Sequence, residues 1–497
     1  MTEEKRTGKA ESESRKPIEN LIEVRIKKLE KLRDMGIDPY PYKYERDHYA
    51  EEVKSKFSNV GEEPEGNVSV AGRIIAFRDI GKISFAHIQD QTGKLQIVFK
   101  KDELGERYKL LKLLDIGDII GVKGPVFKTK RGEISVLVKE FQLLTKSLRP
   151  LPEKYHGLKD VELKYKKRYL DLIMNRESLE TFLKRAVIVK KIREFMDSKG
   201  FVEMETPILE KVYGGAAARP FITHLNYWDM DVFLRIALEI PLKKLLVGGY
   251  DKVYQIGRVF RNESIDSTHN PEFTMIEAYW AYTDYNDMMN LIEEMIKCIA
   301  KDVIKKDKVT FRDRKIDLTK FEKMTMREAF EKFYGKDIID KSLDELKTII
   351  EKEAIPYDGK LTRADALDLI WKHYVEDNLI NPVFIIDYPE ETSPLCKQHR
   401  SIPGFIERSE LFIGGMELAN IYSELNDPIR QRKLLEEQAR ERELGIETAQ
   451  PYDKDFVEAL EYGMPPASGM GIGIDRLAMI LLEKDSIKDV ILFPFVK

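Results

Sequence analysis

The hydrophobic residues of this chain change their spacing twice, and each change limits the folds that are available. Between Pro17 and Gly36 the apolar positions follow the helical repeat, with lysine and arginine between them. From residue 67 to residue 148 they alternate every second position, which is typical of half-buried strands. After about residue 178, long helical patterns and strands are mixed. At 497 residues the chain is also too long for one ordinary domain. We therefore predict several domains of different class.

The alternating segment predicts five short strands separated by glycine-containing turns, such as Gly81-Lys82 and Arg131-Gly132. Five short strands in about eighty residues favour a small closed β-barrel. A β-sandwich and an SH3-like barrel produce the same pattern, so the pattern alone leaves these alternatives open.

The second half of the chain mixes helices with strands at uneven intervals. Strands are predicted at Val253–Phe260 and Phe273–Tyr282, around a polar loop. A hairpin is predicted to turn at Gly414-Gly415, and Gly469–Ile474 is predicted as a strand that feeds a final helix. This arrangement predicts an α+β domain with a mainly antiparallel sheet flanked by helices.

These patterns predict the domain boundaries. Residues 1–16 have no aliphatic side chain larger than alanine apart from Met1, so we expect a disordered tail. The run Arg149-Pro150-Leu151-Pro152 breaks the strand pattern and is expected to start an interdomain linker. The predicted segments are a tail (1–16), a helical segment (17–66), the barrel (67–148), a linker (149–178) and a second large domain (179–497).

Composition excludes several classes of protein. The 83 basic and 87 acidic residues nearly cancel, so a nucleic-acid partner must be held by local patches. Two cysteines exclude a disulfide scaffold and a cysteine-rich zinc site. We find no apolar run of membrane-spanning length, no secretory signal and no P-loop. We therefore expect a cytoplasmic protein with no membrane or DNA partner.

Three segments carry residues suited to nucleotide chemistry. Arg261 stands where a strand meets the polar loop, and a forked guanidinium there can hold a phosphate or a carboxylate. On the returning strand, Phe273, Glu277 and Tyr279 share one face by alternation. For any one of these residues, an ordinary ion pair or a core position is the simpler interpretation.

The second segment runs from Gly469 to Arg476. Its glycines let the backbone approach a ligand closely, and Arg476 adds a positive charge near a helix N-terminus, which favours anions. The alternative is a glycine-rich strand packed under a helix, with Arg476 in a structural salt bridge.

The third segment is the hairpin between Glu410 and Glu424. A two-residue turn places Glu410 opposite Ala419 and diagonal to Glu417, and two such carboxylates can share Mg²⁺. Glu424 then faces the other side of the sheet. For both sets to serve one site, a β-bulge must lie near Ala419, and we predict that bulge.

Taken in this order, the segments resemble the signature motifs of class II aminoacyl-tRNA synthetases. The Phe-Arg-Asn-Glu run that ends at Glu263 and the His-Asn-Pro-Glu-Phe-Thr run that begins at His269 are highly specific. The segments 199–209, 214–221 and 423–428 also match. Together with the N-terminal barrel, the chain is similar to the lysyl-tRNA synthetases of this class from about Pro17 to its end.

The resemblance implies a two-step ligase that joins lysine to tRNA(Lys) for protein biosynthesis. Lysine is activated by ATP to lysyl-adenylate, and the lysyl group then moves to the 3′-terminal adenosine, with release of AMP and pyrophosphate. Mg²⁺ is implied as cofactor, with more than one ion, and a homodimer is implied through Pro207. The barrel is implied to be an OB-fold that binds the anticodon.

The resemblance also assigns roles to residues. Arg261 is expected to bridge the lysine carboxylate and the α-phosphate, Arg476 to neutralise the γ-phosphate, and Phe273 to stack on adenine. Further expected nucleotide contacts are Glu263 and His269, and the expected Mg²⁺ ligands are Glu410 and Glu417. Expected to contact lysine are Gly215, Glu239, Glu277, Tyr279, Asn420, Tyr422 and Glu424. Expected anticodon readers are Arg78, Phe85, Gln96 and Glu133, although the strand pattern alone makes Phe85 a core residue.

The chain departs from the family pattern at three places. Ser264 stands where glycine is usual, and Ile421 stands where a small residue is common. Ile240-Pro241 follows Glu239 in place of an aromatic residue and leucine, and Pro241 suits the first position of a helix. None of these changes removes a charged group.

Three other functions fit these residues less well than the lysine–tRNA ligation that the resemblance implies. A catalytically silent RNA-binding relative is free to lose Arg261 and Arg476, yet both are present. A sister enzyme for aspartate or asparagine has to accept a short acidic or amide side chain, which Glu277 and Glu424 oppose. A lysyltransferase that acts on a protein lacks the N-terminal barrel.

Overall fold

In the computed structural model the described residues are 3–152, 161–357, 359–446 and 449–497. The chain divides into two compact units, residues 1–159 and 160–497, and the division falls inside the predicted linker. The predicted domain boundaries themselves stay predictions. Within the described ranges, none of the helices combines the length and apolar character that a membrane crossing requires.

The first unit begins with two helices, α1 (Glu3–Asp34) and α2 (Ala50–Lys56). Helix α1 starts at Glu3 rather than at Pro17, where the apolar pattern placed it. The backbone is therefore helical in most of the segment predicted as a disordered tail. Glutamate, lysine and arginine are good helix formers without an apolar stripe, which explains the difference.

Between residues 65 and 145 the structure has six strands. They are β1 (Glu65–Asp79), β2 (Ile83–Gln89), β3 (Lys94–Lys100), β4 (Ile119–Lys128), β5 (Ile134–Leu137) and β6 (Glu140–Thr145). Helix α3 (Lys101–Leu104) and a 3-10 segment (Gly105–Leu113) connect β3 to β4. The strand order is β1-β2-β3-β5-β4, and β4 pairs back with β1, so five strands close a barrel around an aliphatic core. The predicted closed barrel is confirmed.

The prediction of five strands was wrong by one, because the last predicted strand is two strands. Val138 donates its amide hydrogen to Val98, whereas Lys139 donates to Lys123. The chain therefore leaves β3 and joins β4 between these two residues. Strand β6 extends the barrel beyond the five strands that close it.

The second unit contains a larger set of elements. Its helices are α4 (Val161–Lys166), α5 (Arg168–Met174), α6 (Arg176–Ser198), α7 (Glu239–Val247), α8 (Tyr285–Ile299), α9 (Met326–Phe333), α10 (Leu343–Lys352), α11 (Arg363–Tyr374), α12 (Pro428–Glu443), α13 (Lys454–Glu461) and α14 (Ile474–Leu481). Its strands are β7 (Val202–Glu203), β8 (Leu209–Glu210), β9 (Ile222–Leu225), β10 (Met230–Leu234), β11 (Lys252–Phe260), β12 (Glu272–Ala281), β13 (Lys308–Phe311), β14 (Arg314–Asp317), β15 (Glu322–Thr325), β16 (Val383–Pro389), β17 (Phe405–Phe412), β18 (Glu417–Ser423) and β19 (Ala467–Gly473). Single helical turns cover Ala300–Ile304, Glu376–Asn378, Glu390–Thr392 and Ile487–Asp489.

The main sheet of this unit has the strand order β15-β16-β17-β18-β19-β12-β11-β7. Only its two outer pairs, β15–β16 and β11–β7, are parallel. The predicted mainly antiparallel sheet is therefore confirmed. Smaller sheets are formed by β8-β10-β9 and by the hairpin β13-β14.

One face of the main sheet is covered by helices. Ile276 of β12, Ile421 of β18 and Ile472 of β19 belong to the same core cluster as residues of α6, α8 and α14. Because side chains alternate along a strand, the neighbours of these residues in sequence face the opposite side. That opposite side carries the candidate site.

Candidate active site

The opposite face of the main sheet, between the helices that pack on its two halves, opens into a cavity of about 450 Å³. Fourteen of the predicted site residues line it: Gly215, Glu239, Arg261, Glu263, His269, Phe273, Glu277, Tyr279, Glu410, Glu417, Asn420, Tyr422, Glu424 and Arg476. They come from segments that are far apart in sequence. The structure therefore brings together every residue predicted to contact ATP, lysine or Mg²⁺, while their individual roles stay predictions.

Strand β12 places one row of these side chains. Phe273, Glu277 and Tyr279 all line the cavity, as the alternation predicted, while Ile276 and Ala278 lie in the core. Arg261 follows the end of β11, and the centre of its guanidinium lies 5.2 Å from the centre of the Phe273 ring. An aromatic ring and a half-buried cation thus lie side by side.

Arg476 approaches the cavity from the first turn of α14. Its Nη1 donates to the backbone oxygen of Glu417 at 2.8 Å, and its Nη2 lies 3.1 Å from Nε2 of His269. In the described part of the chain no carboxylate forms a salt bridge with Arg476. The alternative of a structural salt bridge was wrong for this residue.

The two guanidinium groups influence each other. Burial lowers the pKa of Arg261, and the positive charge of Arg476 lowers it further. Two cations that face one cavity in this way favour an anionic ligand between them.

The hairpin of β17 and β18 shows the predicted bulge. Gly414 and Gly415 have φ of 68° and 74°, as a primed two-residue turn requires. Phe412 pairs with Glu417, but the next pair joins Leu411 to Ala419, so Leu418 is the extra residue. Glu410 consequently lies opposite Asn420 and not opposite Ala419. The predicted bulge is confirmed, and it lets residues on both sides of it line one cavity.

The predicted Mg²⁺ ligand Glu410 has protein partners that the sequence did not indicate. Its Oε2 accepts a hydrogen bond from the hydroxyl of Tyr388 at 2.8 Å, and its Oε1 accepts from the guanidinium of Arg408. Burial raises the pKa of Glu410 to about 7; the charge of Arg408 lowers it and that of Glu417 raises it. Arg408 precedes Glu410 by two positions on one strand, and this alternation is the signal that sequence reasoning overlooked.

The carboxylates of Glu239, Glu277 and Glu424 form one buried end of the cavity, called the acidic end below. They are only 5%, 4% and 1% exposed, respectively. Glu277 accepts from the backbone amide of Leu238 at 2.9 Å and from the hydroxyl of Tyr279 at 3.0 Å. Burial raises the pKa of Glu277 to about 7, and the charge of Glu239 adds to the rise. Burial also raises the pKa of Glu424 to about 8.

Gly469 makes the contact between Glu424 and Tyr279 possible. A Cβ atom at this position would lie 2.0 Å from Oε1 of Glu424 and 2.5 Å from a ring carbon of Tyr279. These two side chains therefore meet over the bare backbone of β19. This is a case in which the absence of a side chain shapes the site.

Lys243 is a second residue that sequence reasoning missed. It is 0% exposed, and its Nζ lies 2.5 Å from Oε2 of Glu424 and forms an ion pair with Glu239. The signal is the four-residue spacing between Glu239 and Lys243 on one helix. The prediction that Pro241 opens the helix was wrong, since α7 begins at Glu239 and Pro241 is its third residue. Proline is tolerated there because the first amide groups of a helix lack intrahelical partners.

Helix α11 and the turn after it contribute charged residues near the predicted Mg²⁺ ligands. Asp368, Lys372 and Glu376 line the cavity, and Nζ of Lys372 lies 2.7 Å from Oδ2 of Asp368. Burial raises the pKa of Glu376 to about 7, and the charge of Glu417 contributes. No motif in the sequence marked these residues.

The three departures from the family pattern have different consequences. Ser264 lines the cavity. Ile421 is 0% exposed and belongs to the core under the sheet, so its bulk does not narrow the cavity. Pro241 is accommodated in the first turn of α7.

The predicted anticodon readers lie on neighbouring strands of the barrel. Arg78 of β1 pairs with Phe85 of β2, and Gln96 lies on β3. Nε2 of Gln96 donates to Oε2 of Glu133 at 2.7 Å. His87 was not predicted, yet its Nε2 lies 2.8 Å from Oε1 of Glu133.

Phe85 is half-buried, between the buried Ser84 and Ala86. It does not belong to the hydrophobic core among the described residues of the barrel. The core interpretation that the strand pattern favoured was therefore wrong.

Pro207 lies outside the cavity, in an exposed segment between β7 and β8. Its carbonyl accepts a hydrogen bond from Nη1 of Arg235 at 3.4 Å. The neighbouring apolar side chains of Ile208 and Leu209 are 47% and 49% exposed.

Comparison with known proteins agrees with this geometry. Residues 160–497 match the family described as tRNA synthetases class II (D, K and N), and residues 68–144 match the OB-fold nucleic acid binding domain. The chain therefore belongs to the class II tRNA synthetases of the D, K and N group, with an N-terminal OB-fold.

The similarity to individual proteins is close and spans nearly the whole chain. A lysine–tRNA ligase of Carboxydothermus hydrogenoformans is 50% identical over 97% of this chain and 98% of its own. One of Moorella thermoacetica is 50% identical over 96% and 97%, and one of Listeria monocytogenes is 48% identical over 98% and 99%. Within the class II family, the place of this chain is among the lysyl-tRNA synthetases.

Proposed function

We propose that this chain ligates lysine to tRNA(Lys) in two steps within the cavity described above. The observation that carries the proposal is the meeting of two guanidinium groups beside a pocket of three buried carboxylates. The cations suit a triphosphate and a carboxylate, and the acids suit an amine-tipped side chain with its α-ammonium group. Among the twenty standard amino acids, only lysine carries a second ammonium group at the end of its side chain.

In the first step an oxygen of the lysine carboxylate attacks the α-phosphorus of ATP. A bond forms between that oxygen and phosphorus, the bond to the β-phosphate oxygen breaks, and pyrophosphate leaves with the electron pair. The nucleophile is already an anion, so the step needs positioning and charge neutralisation and no strong general base. Arg261 holds the carboxylate and the α-phosphate, Arg476 the γ-phosphate, and Phe273 stacks on adenine.

The acidic end of the cavity selects the side chain of substrate lysine. Gly215 and Glu239 hold the α-ammonium group, and Asn420 lies on the carboxylate side. Glu277, Tyr279, Tyr422 and Glu424 surround the ε-ammonium group. Glu263 and His269 complete the nucleotide contacts.

Mg²⁺ fits the region around Glu410 and Glu417. Both carboxylates line the cavity, and each raises the cost of the other's negative charge, which a divalent cation offsets. Among the described residues, we find no cage of three or more protein ligands. This agrees with Mg²⁺ held by one or two carboxylates together with phosphates. When bound, Mg²⁺ neutralises charge on the phosphates.

Glu417→Gln is expected to raise the Mg²⁺ concentration needed for half-maximal activity. An unchanged Mg²⁺ requirement would show that Glu417 is not one of the Mg²⁺ ligands.

In the second step the 3′-hydroxyl of the terminal adenosine attacks the carbonyl carbon of lysyl-adenylate. An ester bond forms, the bond from the carbonyl carbon to the phosphate oxygen breaks, and AMP leaves with the electron pair, while its phosphate takes up the proton that the hydroxyl loses. The barrel reads the anticodon: Phe85 stacks on a base, and Arg78, Gln96 and Glu133 contact base edges.

We further propose that two copies of the chain associate through the surface around Pro207. This surface carries exposed apolar side chains at Val202, Ile208 and Leu209. Exposed apolar clusters of this kind are typical of protein interfaces. A monomer in sedimentation analysis at micromolar concentration would contradict the proposed dimer.

We place the protein in the cytoplasm, since both cysteines, Cys298 and Cys396, are free.

The experiment that tests the function is charging of tRNA(Lys) transcripts with labelled lysine. The expected result is ATP-dependent formation of lysyl-tRNA(Lys), retained with a 2′-deoxy terminal adenosine and lost with a 3′-deoxy one. Absence of charging would contradict the ligase function. Charging of the 3′-deoxy transcript would contradict the proposed acceptor hydroxyl alone.

A further inference from the structure

Lys243 places a positive charge inside the pocket that is proposed to receive the ammonium groups of substrate lysine. Its side chain is 0% exposed, and its ammonium group pairs with both Glu239 and Glu424. It also lies 5.9 Å from the ring centres of Tyr279 and of Phe456. The ammonium group is therefore enclosed by two carboxylates and two aromatic rings.

Helix α7 determines this placement. Glu239 opens the helix and Lys243 follows four positions later, so both side chains lie on one helix face. Lys244, the next residue, faces elsewhere and pairs with Asp455 at 2.5 Å, and it is partly exposed. Two adjacent lysines on one helix thus have entirely different surroundings.

Glu424 depends on Lys243 for its charge partner. Glu277 accepts hydrogen bonds on both oxygens, from Leu238 and Tyr279. By contrast, neither oxygen of Glu424 accepts a hydrogen bond within the described ranges, although both are buried, and the carboxylate has only its ion pair with Lys243. A buried carboxylate without a partner is strongly destabilised in its charged form. The ammonium group at 2.5 Å from Oε2 is what offsets that cost.

We propose that Lys243 is a positioning residue that holds the carboxylates of Glu239 and Glu424 aligned for the two ammonium groups of substrate lysine. The inference rests on the proposed function, in which Glu239 holds the α-ammonium group and Glu424 the ε-ammonium group. Because Lys243 contacts both, it links the two ends of the pocket. Removing it affects lysine binding and leaves the ATP side intact.

Loss of Lys243 is expected to change the pH dependence of kcat/KM for lysine. Burial raises the pKa of Glu424, and Lys243 is the neighbour that lowers it most. Without Lys243 the pKa of Glu424 rises further, so its carboxyl group is neutral up to higher pH and binds an ammonium group weakly. The acid limb of kcat/KM for lysine therefore moves to higher pH. The other titratable groups that face this pair are Glu239 on α7, Glu277 and Tyr279 on β12, and the thiol of Cys396.

The test is lysine-dependent ATP–pyrophosphate exchange by the full-length Lys243→Met variant, with Lys244→Met as the matched control. For Lys243→Met we expect a KM for lysine raised at least about tenfold, a KM for ATP within about twofold, and an acid limb shifted up by about one pH unit. Lys243→Arg keeps the charge and is expected to restore the unaltered pH profile in part. Lys244→Met is expected to behave like the unaltered protein.

Two results would overturn the inference. One is an unchanged KM for lysine in Lys243→Met. The other is an equal loss toward lysine and ATP with an unmoved acid limb, which indicates a merely structural role. If Lys243→Met does not fold, Lys243→Gln is read by the same criteria, since its amide still donates a hydrogen bond. If the unaltered protein gives no lysine-dependent exchange, the proposed function fails first, and the two failures are thereby distinguished.

Discussion

The acidic end of the cavity and the outer face of the barrel use similar side chains in opposite environments. Glu424 is 1% exposed and sits against Tyr279 and Lys243, whereas the side chain of Glu133 is 46% exposed and contacts Gln96 and His87. A carboxylate as buried as Glu424 needs a protein partner, because water cannot replace a partner that is lost. On the barrel, water replaces any partner that is lost. We therefore expect substitutions in the first region to have much larger effects than those in the second.

Removal of the Glu424 charge should have the largest effect. For Glu424→Gln we expect kcat/KM for lysine in the exchange reaction to fall about a thousandfold, because the pocket loses a buried negative charge and Lys243 keeps only Glu239 as its partner. The exposed Glu443→Gln is the control and should leave exchange unchanged. A loss of less than tenfold in Glu424→Gln would remove this residue from the specificity pocket.

A smaller effect is expected from crowding the same pocket without changing its charge. In Gly469→Ala the new methyl group collides with Glu424 and Tyr279, and we expect kcat/KM for lysine to fall about a hundredfold. Gly61→Ala is the control, since a Cβ atom there would have no neighbour within 4 Å. Equal kinetics for the two variants would show that Glu424 and Tyr279 do not need their observed contact.

The smallest effect is expected on the barrel. Phe85→Ala should raise KM for tRNA(Lys) about tenfold, as expected for the loss of one stacked base, and leave lysine-dependent exchange unchanged. Ile116→Ala removes another exposed apolar side chain of this unit and should change neither quantity. If exchange falls together with charging in Phe85→Ala, the ring is structural and the contrast between the two regions fails.

The sequence was sufficient where chemistry and local spacing coincide. Arg261, Glu277 and Arg476 stand in recognisable motifs, and alternation along β12 predicted which side chains share a face. Even the bulge at Leu418 followed from the need to bring Glu417 and Asn420 to one site.

The rest depended on packing that no local pattern contains. The sequence alone does not distinguish Lys243 from a surface lysine, because the residue at which α7 begins determines which helix positions face the interior. Arg408 lies two positions from Glu410, but only the pairing of β17 shows that Glu410 is buried and that Arg408 lies half-buried beside it. Phe85 resembles a core residue because hydrophobicity alone does not say which face of a barrel strand points outward.

The proposed specificity for lysine depends most directly on the match between the buried carboxylates and the ammonium groups of lysine. The decisive measurement is ATP–pyrophosphate exchange by the full-length protein with each of the twenty amino acids in turn. We predict that lysine supports exchange at a kcat/KM at least about a hundredfold above that of any other amino acid. Comparable exchange with aspartate or asparagine, or no exchange with any amino acid, would contradict the account.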